Sequence, residues 1–246
     1  MKIRHTLTCA LLGPWGFNAQ AADWSQANVQ LLHGNGFELG KQSRSIMTFE
    51  YANGWKYGDN FFFVDVSEPA TKGTGYYAEF SPRFSLGALS GKKLAFGVVK
   101  DVMIAATQEL GERLRATLVG PGFALDLPGF TFANLNLYYR KSSRDWLAEQ
   151  SNAGFQASVD WLLPFTLGTQ KFAFEGFVDI AWGERGGSSP KADNVIAAPR
   201  LLIDASNWFG APRNVLVGIE YQIWRNKFGV GGINENVPQI MVKWAL

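Results

Sequence analysis

Val237-Pro-Gln-Ile-Met-Val-Lys-Trp-Ala-Leu246 closes the chain, and its alternation decides the fold. Side chains of an extended strand alternate between its two faces. Ile240, Val242, Trp244 and Leu246 therefore share one side, while Gln239, Met241, Lys243 and Ala245 share the other. A soluble domain rarely leaves such an apolar edge open, because the edge invites aggregation. A terminal strand of this kind is expected to close onto the first strand, in a barrel whose outer face meets lipid.

The other end of the chain points to export. Met1 to His5 is a basic segment, Thr6 to Phe17 is a short apolar core interrupted by Gly13 and Pro14, and Ala19-Gln-Ala21 has the small-x-small form of a cleavage site. Residues 1–21 are read as a signal peptide and 22–246 as one outer-membrane β-barrel. Loss of Lys2 and Arg4 leaves 21 basic against 21 acidic residues, so charge gives no reason to expect a nucleic-acid partner. The single cysteine, Cys9, lies in the leader, which leaves the exported part without a disulfide or a thiolate metal site.

Hydrophobic residues make up 47 % of the chain, which suits a soluble protein as well as a barrel whose apolar and polar residues alternate. The aromatic content is more telling: nine Trp, seven Tyr and nineteen Phe suffice for two interfacial girdles. Alternation predicts an all-β, transmembrane antiparallel barrel of about 12 strands, near 27–33, 45–53, 58–67, 74–85, 93–106, 113–126, 130–141, 151–163, 170–182, 195–206, 214–225 and 237–246. The pattern is clean where Met47, Phe49 and Tyr51 oppose Thr48 and Glu50, and where Phe172, Phe174, Val178, Ile180 and Trp182 oppose Glu175, Phe177 and Asp179. It blurs at 93–106 and 195–206, and Pro199 predicts a bulge or late start in the latter. Short inner turns are expected at 52–57, 87–92, 127–129 and 207–213, with longer polar loops at 68–73, 141–150, 183–194 and 226–236. A soluble β-sandwich or barrel, periplasmic or secreted, would also alternate, but the leader, the apolar last strand and the loop asymmetry together favour the membrane barrel.

The face turned from lipid mixes acids, bases and rings. Glu50, Phe61, Phe63, Asp65, Tyr77, Glu79, Arg83, Arg140, Asp160, Glu175, Phe177, Asp179, Glu220 and Trp224 fall on it. Charges at membrane depth must face a lumen and pair there. Rings beside carboxylates suit a flat, neutral solute that stacks and donates hydrogen bonds. The same residues could instead pair into a structural plug.

Three stretches carry a family resemblance: Phe49-Glu50-Tyr51, Gly58-Asp-Asn-Phe-Phe-Phe-Val-Asp65, and Ala78-Glu-Phe-Ser-Pro-Arg-Phe-Ser-Leu86. They resemble the Tsx-type nucleoside-specific channels and the related OmpK proteins of the outer membrane, and Phe177 to Gly183 is similar to a later segment of that family. The resemblance implies a monomeric twelve-stranded barrel in the cell outer membrane, with a narrow aromatic-lined pore for nucleosides or similar small neutral solutes. It assigns Glu50, Phe61, Asp65, Glu79 and Arg83 to the lumen; alternation adds Phe63, Tyr77, Asp160, Glu175 and Asp179 to the substrate pathway. Outer-membrane lipid and the barrel-assembly machinery are the partners expected for such a chain. Leu246 stands where most barrels end in Phe. OmpK-type members also serve as phage receptors, so a receptor barrel with a closed lumen is the alternative function.

Catalysis has little to work with. His33 is the one histidine beyond the leader, and neither Ser43 nor Ser45 sits in a nucleophile motif. The chain is expected to be no enzyme and to need no cofactor or metal, although Asp160 with Glu175 could pair around a divalent ion.

Overall fold

The computed structural model describes residues 22–67, 75–112, 114–143, 152–185, 190–210 and 214–246. The predicted leader and the 68–73 loop lie outside them. Antiparallel strands run as β1 (Trp24–Asn35), β2 (Ser43–Trp55), β3 (Gly58–Ser67), β4 (Gly75–Ser85), β5 (Val99–Gly111), β6 (Arg115–Leu125), β7 (Phe132–Ser143), β8 (Asn152–Leu167) and β9 (Gln170–Arg185). They continue as β10 (Asn194–Ala197), β11 (Arg200–Asp204), β12 (Val215–Arg225) and β13 (Glu235–Ala245). β10 and β11 are two halves of one stave, because both pair with β9 on one side and β12 on the other. β13 pairs with β12 and with β1, so twelve staves close into a barrel with no free edge.

The last strand behaves as its alternation predicts. Ile240, Val242, Trp244 and Leu246 are exposed on the outside, while Gln239 and Met241 are buried inside. Outward apolar residues continue around the wall: Leu31, Met47, Phe80, Ile104, Val119, Leu137, Ile180, Leu201 and Ile219 are all exposed large hydrophobics. In water this band would be a large unpartnered apolar surface; in a bilayer it is the contact with acyl chains. Among the described residues no helix is long and apolar enough to cross a membrane.

The break at Pro199 has a local cause. Proline cannot donate to a ladder, and the facing Gly176 has a φ of 153° with Ala198 O pressed against it, a place with no room for a Cβ. Ala198 N still donates to Phe177 O at 3.0 Å and Tyr221 N to Pro199 O at 2.9 Å, so the stave bends without opening.

Two expectations need correction. Strand β5 starts at Val99 rather than near 93, because Ser85 caps a short helix, α1 (Leu86–Ser90), by accepting from Ala88 N, and Gly91 ends it in the left-handed region. Phe96 and Val99 then form a tight bridge across Gly97, and only afterwards does the strand begin. The shift carries β5 on to Gly111 and puts Glu109 on the inner face. The inner connections are also not uniformly short. Lys56–Tyr57 and Gly168–Thr169 are tight, but 86–98 holds α1, and a 3-10 turn at Ala205–Phe209 lengthens the link to β12.

Candidate functional site

Cross-strand register fixes which side chains share the lumen. Glu50 lies opposite Phe63, Thr48 opposite Asp65 and Ala52 opposite Phe61; Phe63 then lies opposite Glu79, Asp65 opposite Tyr77 and Asp59 opposite Arg83. Paired residues point the same way. The structure therefore brings Glu50, Phe61, Phe63, Asp65, Tyr77, Glu79 and Arg83 onto one continuous inner wall of β2, β3 and β4. Asp160, Glu175 and Asp179 face inward from β8 and β9.

Two ion-pair networks line this interior. In the first, Arg200 on β11 donates to Glu220 at 2.6 Å and reaches Glu50 at 3.1 Å and Glu175 at 3.5 Å. Lys243 on β13 adds 2.7 Å to Glu175 and 3.8 Å to Glu50. Asn28 donates to Glu50, Gln30 to Asn28 and Gln239 to Glu220, which extends the network over β1 and β13. The Arg200–Glu50 contact spans staves that are not neighbours, so this network braces one side of the lumen.

The second network is built on Arg140 of β7. Its guanidinium grips both oxygens of Glu109, donates to Gln156 at 2.9 Å and reaches Glu184 at 3.1 Å. Lys191 completes it, 2.8 Å from Glu184. Simple alternation past Trp182 would send Glu184 outward. Gly183 takes a φ of 66°, the β8–β9 register slips between Ala153 and Phe155, and the resulting bulge turns Glu184 inside.

Between the networks lies a different chemistry. Phe61, Phe63 and Tyr77 form a ladder with ring centroids 5.9 and 5.8 Å apart. Phe61 faces inward yet is 37 % exposed, so its ring borders open lumen rather than packed side chains. The acids here hold hydroxyls: Thr48 donates to Asp65 at 2.5 Å, Tyr77 to Glu79 at 2.6 Å, and Ser158 bonds to Asp179. Among the described residues, none of these three carboxylates has a lysine or arginine within ion-pair distance. Lower down, Arg83 grips Asp59 through two 2.8 Å bonds and keeps its Nη1 buried without a partner.

The outer mouth is partly covered. Glu235, fully buried, accepts from Lys227 at 2.7 Å, Gln222 at 2.8 Å and the backbone N–H groups of Glu38 and Leu39 at 3.0 and 3.4 Å. One carboxylate thus ties the β1–β2 loop and the 226–234 loop to the barrel rim. Arg44 lies 4.4 Å over the buried Phe37 ring and donates to Leu39 O, and Lys227 stacks 4.3 Å over Trp224. Burial pushes the Lys227 ammonium below its ordinary pKa, with Glu235 opposing the shift.

The profile of the nucleoside-specific channel-forming protein Tsx matches residues 19–235. The chain belongs to the Tsx family. Outer membrane protein OmpK of Vibrio parahaemolyticus serotype O3:K6 is 29 % identical to this Tsx-family chain over 73 % of it and 76 % of the relative. Nucleoside-specific channel-forming protein Tsx of Salmonella typhimurium is 27 % identical over 65 % of this chain and 56 % of its own length. A further OmpK of Vibrio parahaemolyticus aligns over 50 % of its length, so the match spans about half of some curated relatives. Among solved structures, the NanC porin superposes with a TM-score of 0.52 at 12 % identity, covering 89 % of this chain and all of that one, which speaks for the fold alone. As an outer-membrane barrel of a channel-forming family, the protein fits the expected fold class and localisation.

Several contributors escaped the reading of the sequence. Arg200 hid behind Pro199, Glu109 behind the misplaced start of β5, and Glu184 behind the Gly183 bulge. Asp160 and Glu175 do not pair around an ion site: Asp160 accepts from Asn134 at 2.5 Å, while Glu175 is held by Arg200 and Lys243. No cluster of three or more metal-ligating side chains occurs among the described residues. His33 does meet Ser45 at 3.0 Å and Ser43 at 3.5 Å, on the outer rim and away from the lumen.

Proposed function

We propose that this Tsx-family chain is a passive outer-membrane channel for nucleosides or similar small neutral solutes, which pass along the strip between the two ion-pair networks. The observation that carries the reading is the half-exposed Phe61 ring, stacked in line with Phe63 and Tyr77 and flanked by hydroxyl-capped acids. A planar base gains about 1–3 kcal/mol from each aromatic face it stacks on. Asp65, Glu79 and Asp179 offer acceptor oxygens to the ribose hydroxyls and base amines of such a solute. No covalent step is involved; the walls select by stacking, hydrogen bonding and width. The names of the relatives support nucleosides as the solute class.

Liposome swelling tests this directly. Vesicles holding the purified barrel should admit adenosine or thymidine faster than a sugar of equal mass. Equal rates, or no entry of either, would end the nucleoside reading.

A second reading, a receptor barrel with a closed lumen, has its own support. The Arg200–Glu50 brace ties β11 to β2 along one side of the interior, and the Glu235 tie holds the β1–β2 and 226–234 loops at the mouth. On that reading the outer loops bind phage or another surface partner, and purified protein conducts no ions in a planar bilayer.

A further inference from the structure

We propose that the inner connection after β4 is a docking surface for anionic phospholipid headgroups of the periplasmic leaflet, a role independent of the solute. The depth of this segment is set by its neighbours. Trp55, Tyr57 and Phe84 pack edge-on with centroids 5.6 and 6.2 Å apart, at the inner end of β2 and β4. Such an aromatic girdle settles at the membrane–water boundary. The connection leaves β4 right after Phe84 and Ser85, so residues 86–98 run at headgroup level.

What the segment presents there is unusual for an inner turn. Leu89, Phe96 and Val98 are 55, 60 and 56 % exposed, with Lys92, Lys93 and Lys100 exposed among them. No acidic residue occurs from 86 to 100. A cavity of about 570 Å³ opens beside them, lined by Trp55, Lys56, Lys92, Lys93, Leu94 and Lys100. The two acids at its barrel side are already engaged: Asp59 by Arg83, and Asp101 by the Ser85 hydroxyl at 2.5 Å. Lys56 also lies 4.9 Å over the Tyr57 ring, leaving its charge at the same boundary. Exposed apolar side chains among lysines are the composition that inserts into an anionic lipid interface. The phosphodiester would sit among the ammonium groups, and the acyl chains would lie along Trp55 and the apolar residues.

The barrel carries its own control. The other long inner connection exposes Trp208 (61 %) and Phe209 (84 %) in its 3-10 turn, with no lysine from 205 to 210. It can anchor in the interface, and its sequence holds a single cation, Arg213, against Lys92, Lys93 and Lys100 in and just after the other connection.

The test is spin-label exchange with the full barrel in phosphatidylethanolamine vesicles, comparing labelled phosphatidylglycerol with labelled phosphatidylcholine. Wild type should favour phosphatidylglycerol; each lysine supplies about a fivefold share of that preference at low salt. K92Q/K93Q/K100Q should lose most of it, K92R/K93R/K100R should keep it, and W208A/F209A should leave it unchanged. If the glutamine variant fails to fold, wild type at high salt replaces it, since a preference built on exposed charge must fall with screening. An equal affinity for both lipids in wild type, a preference untouched by salt, or one lost in W208A/F209A would overturn the proposal. So would inorganic phosphate displacing the lipid better than chloride at equal ionic strength.

Discussion

Glu175 and Asp179 stand on the same face of β9, yet they live in different worlds. Glu175 is clamped between Arg200 and Lys243, while Asp179 holds a serine hydroxyl. Glu50 and Asp65, on adjacent strands, repeat the contrast. What separates each pair is whether a cation reaches the carboxylate, from the facing β11 for Glu175 and from the more distant β11 and β13 for Glu50. A carboxylate gripped by arginine has its lone pairs filled and serves as a brace. A carboxylate that holds one hydroxyl keeps acceptor capacity for a passing solute. The same residue type thus builds wall in one place and lining in another, and that division underlies the channel reading.

Breaking the brace should have the largest effect. Arg200→Met strands Glu50, Glu175 and Glu220 around a single lysine. Removing one partner of a buried pair costs about 3–5 kcal/mol, and slight hydration of this site favours the lower end. Urea unfolding in lipid vesicles should register that loss. Next comes the cover of the mouth. Glu235→Gln weakens the hold on Lys227 and on the loop amides, and each hydrogen bond to a charged group contributes about 1.5–3 kcal/mol. The expected outcome is a higher and noisier single-channel conductance with unchanged heat-modifiable migration.

The lining should respond differently. Asp65→Asn and Glu79→Gln keep a polar contact to Thr48 and Tyr77, so stability should move by no more than about 1 kcal/mol. Cation-over-anion permeability, read from reversal potentials, should nevertheless fall. If these variants unfold the barrel as badly as Arg200→Met does, the two regions are not distinct.

Much of this architecture was legible in the sequence because a period of two is hard to disguise. Ile240, Val242, Trp244 and Leu246 announced the lipid face, and the inward placement of Glu50, Asp65, Glu79 and Arg83 follows from counting along β2 to β4. The failures share one physical origin: places where the backbone leaves its period. Ser85 and Gly91 build a helix where a turn was expected, which displaced β5 and hid Glu109. Gly183 inserts a bulge and flips Glu184, a reversal that pattern-matching over Trp182 cannot see. Pro199 marked a break, but only the pairing of both halves with β9 and β12 reveals that Arg200 points to the centre of a network. Which acids are braced and which are free is likewise invisible to a one-dimensional reading. It depends in part on cations from staves that are not neighbours, as with Arg200 and Glu50.

Single-channel recording in a planar bilayer, with nucleoside titrated against wild type and Phe61→Ala/Phe63→Ala, tests the division between brace and lining most directly. Wild type should show a saturable reduction of ion current, and the double variant should need at least about fivefold more nucleoside for the same block, at unchanged stability. Block that is absent in wild type, or identical in the variant, would contradict the assignment of the Phe61–Phe63–Tyr77 strip as the solute path.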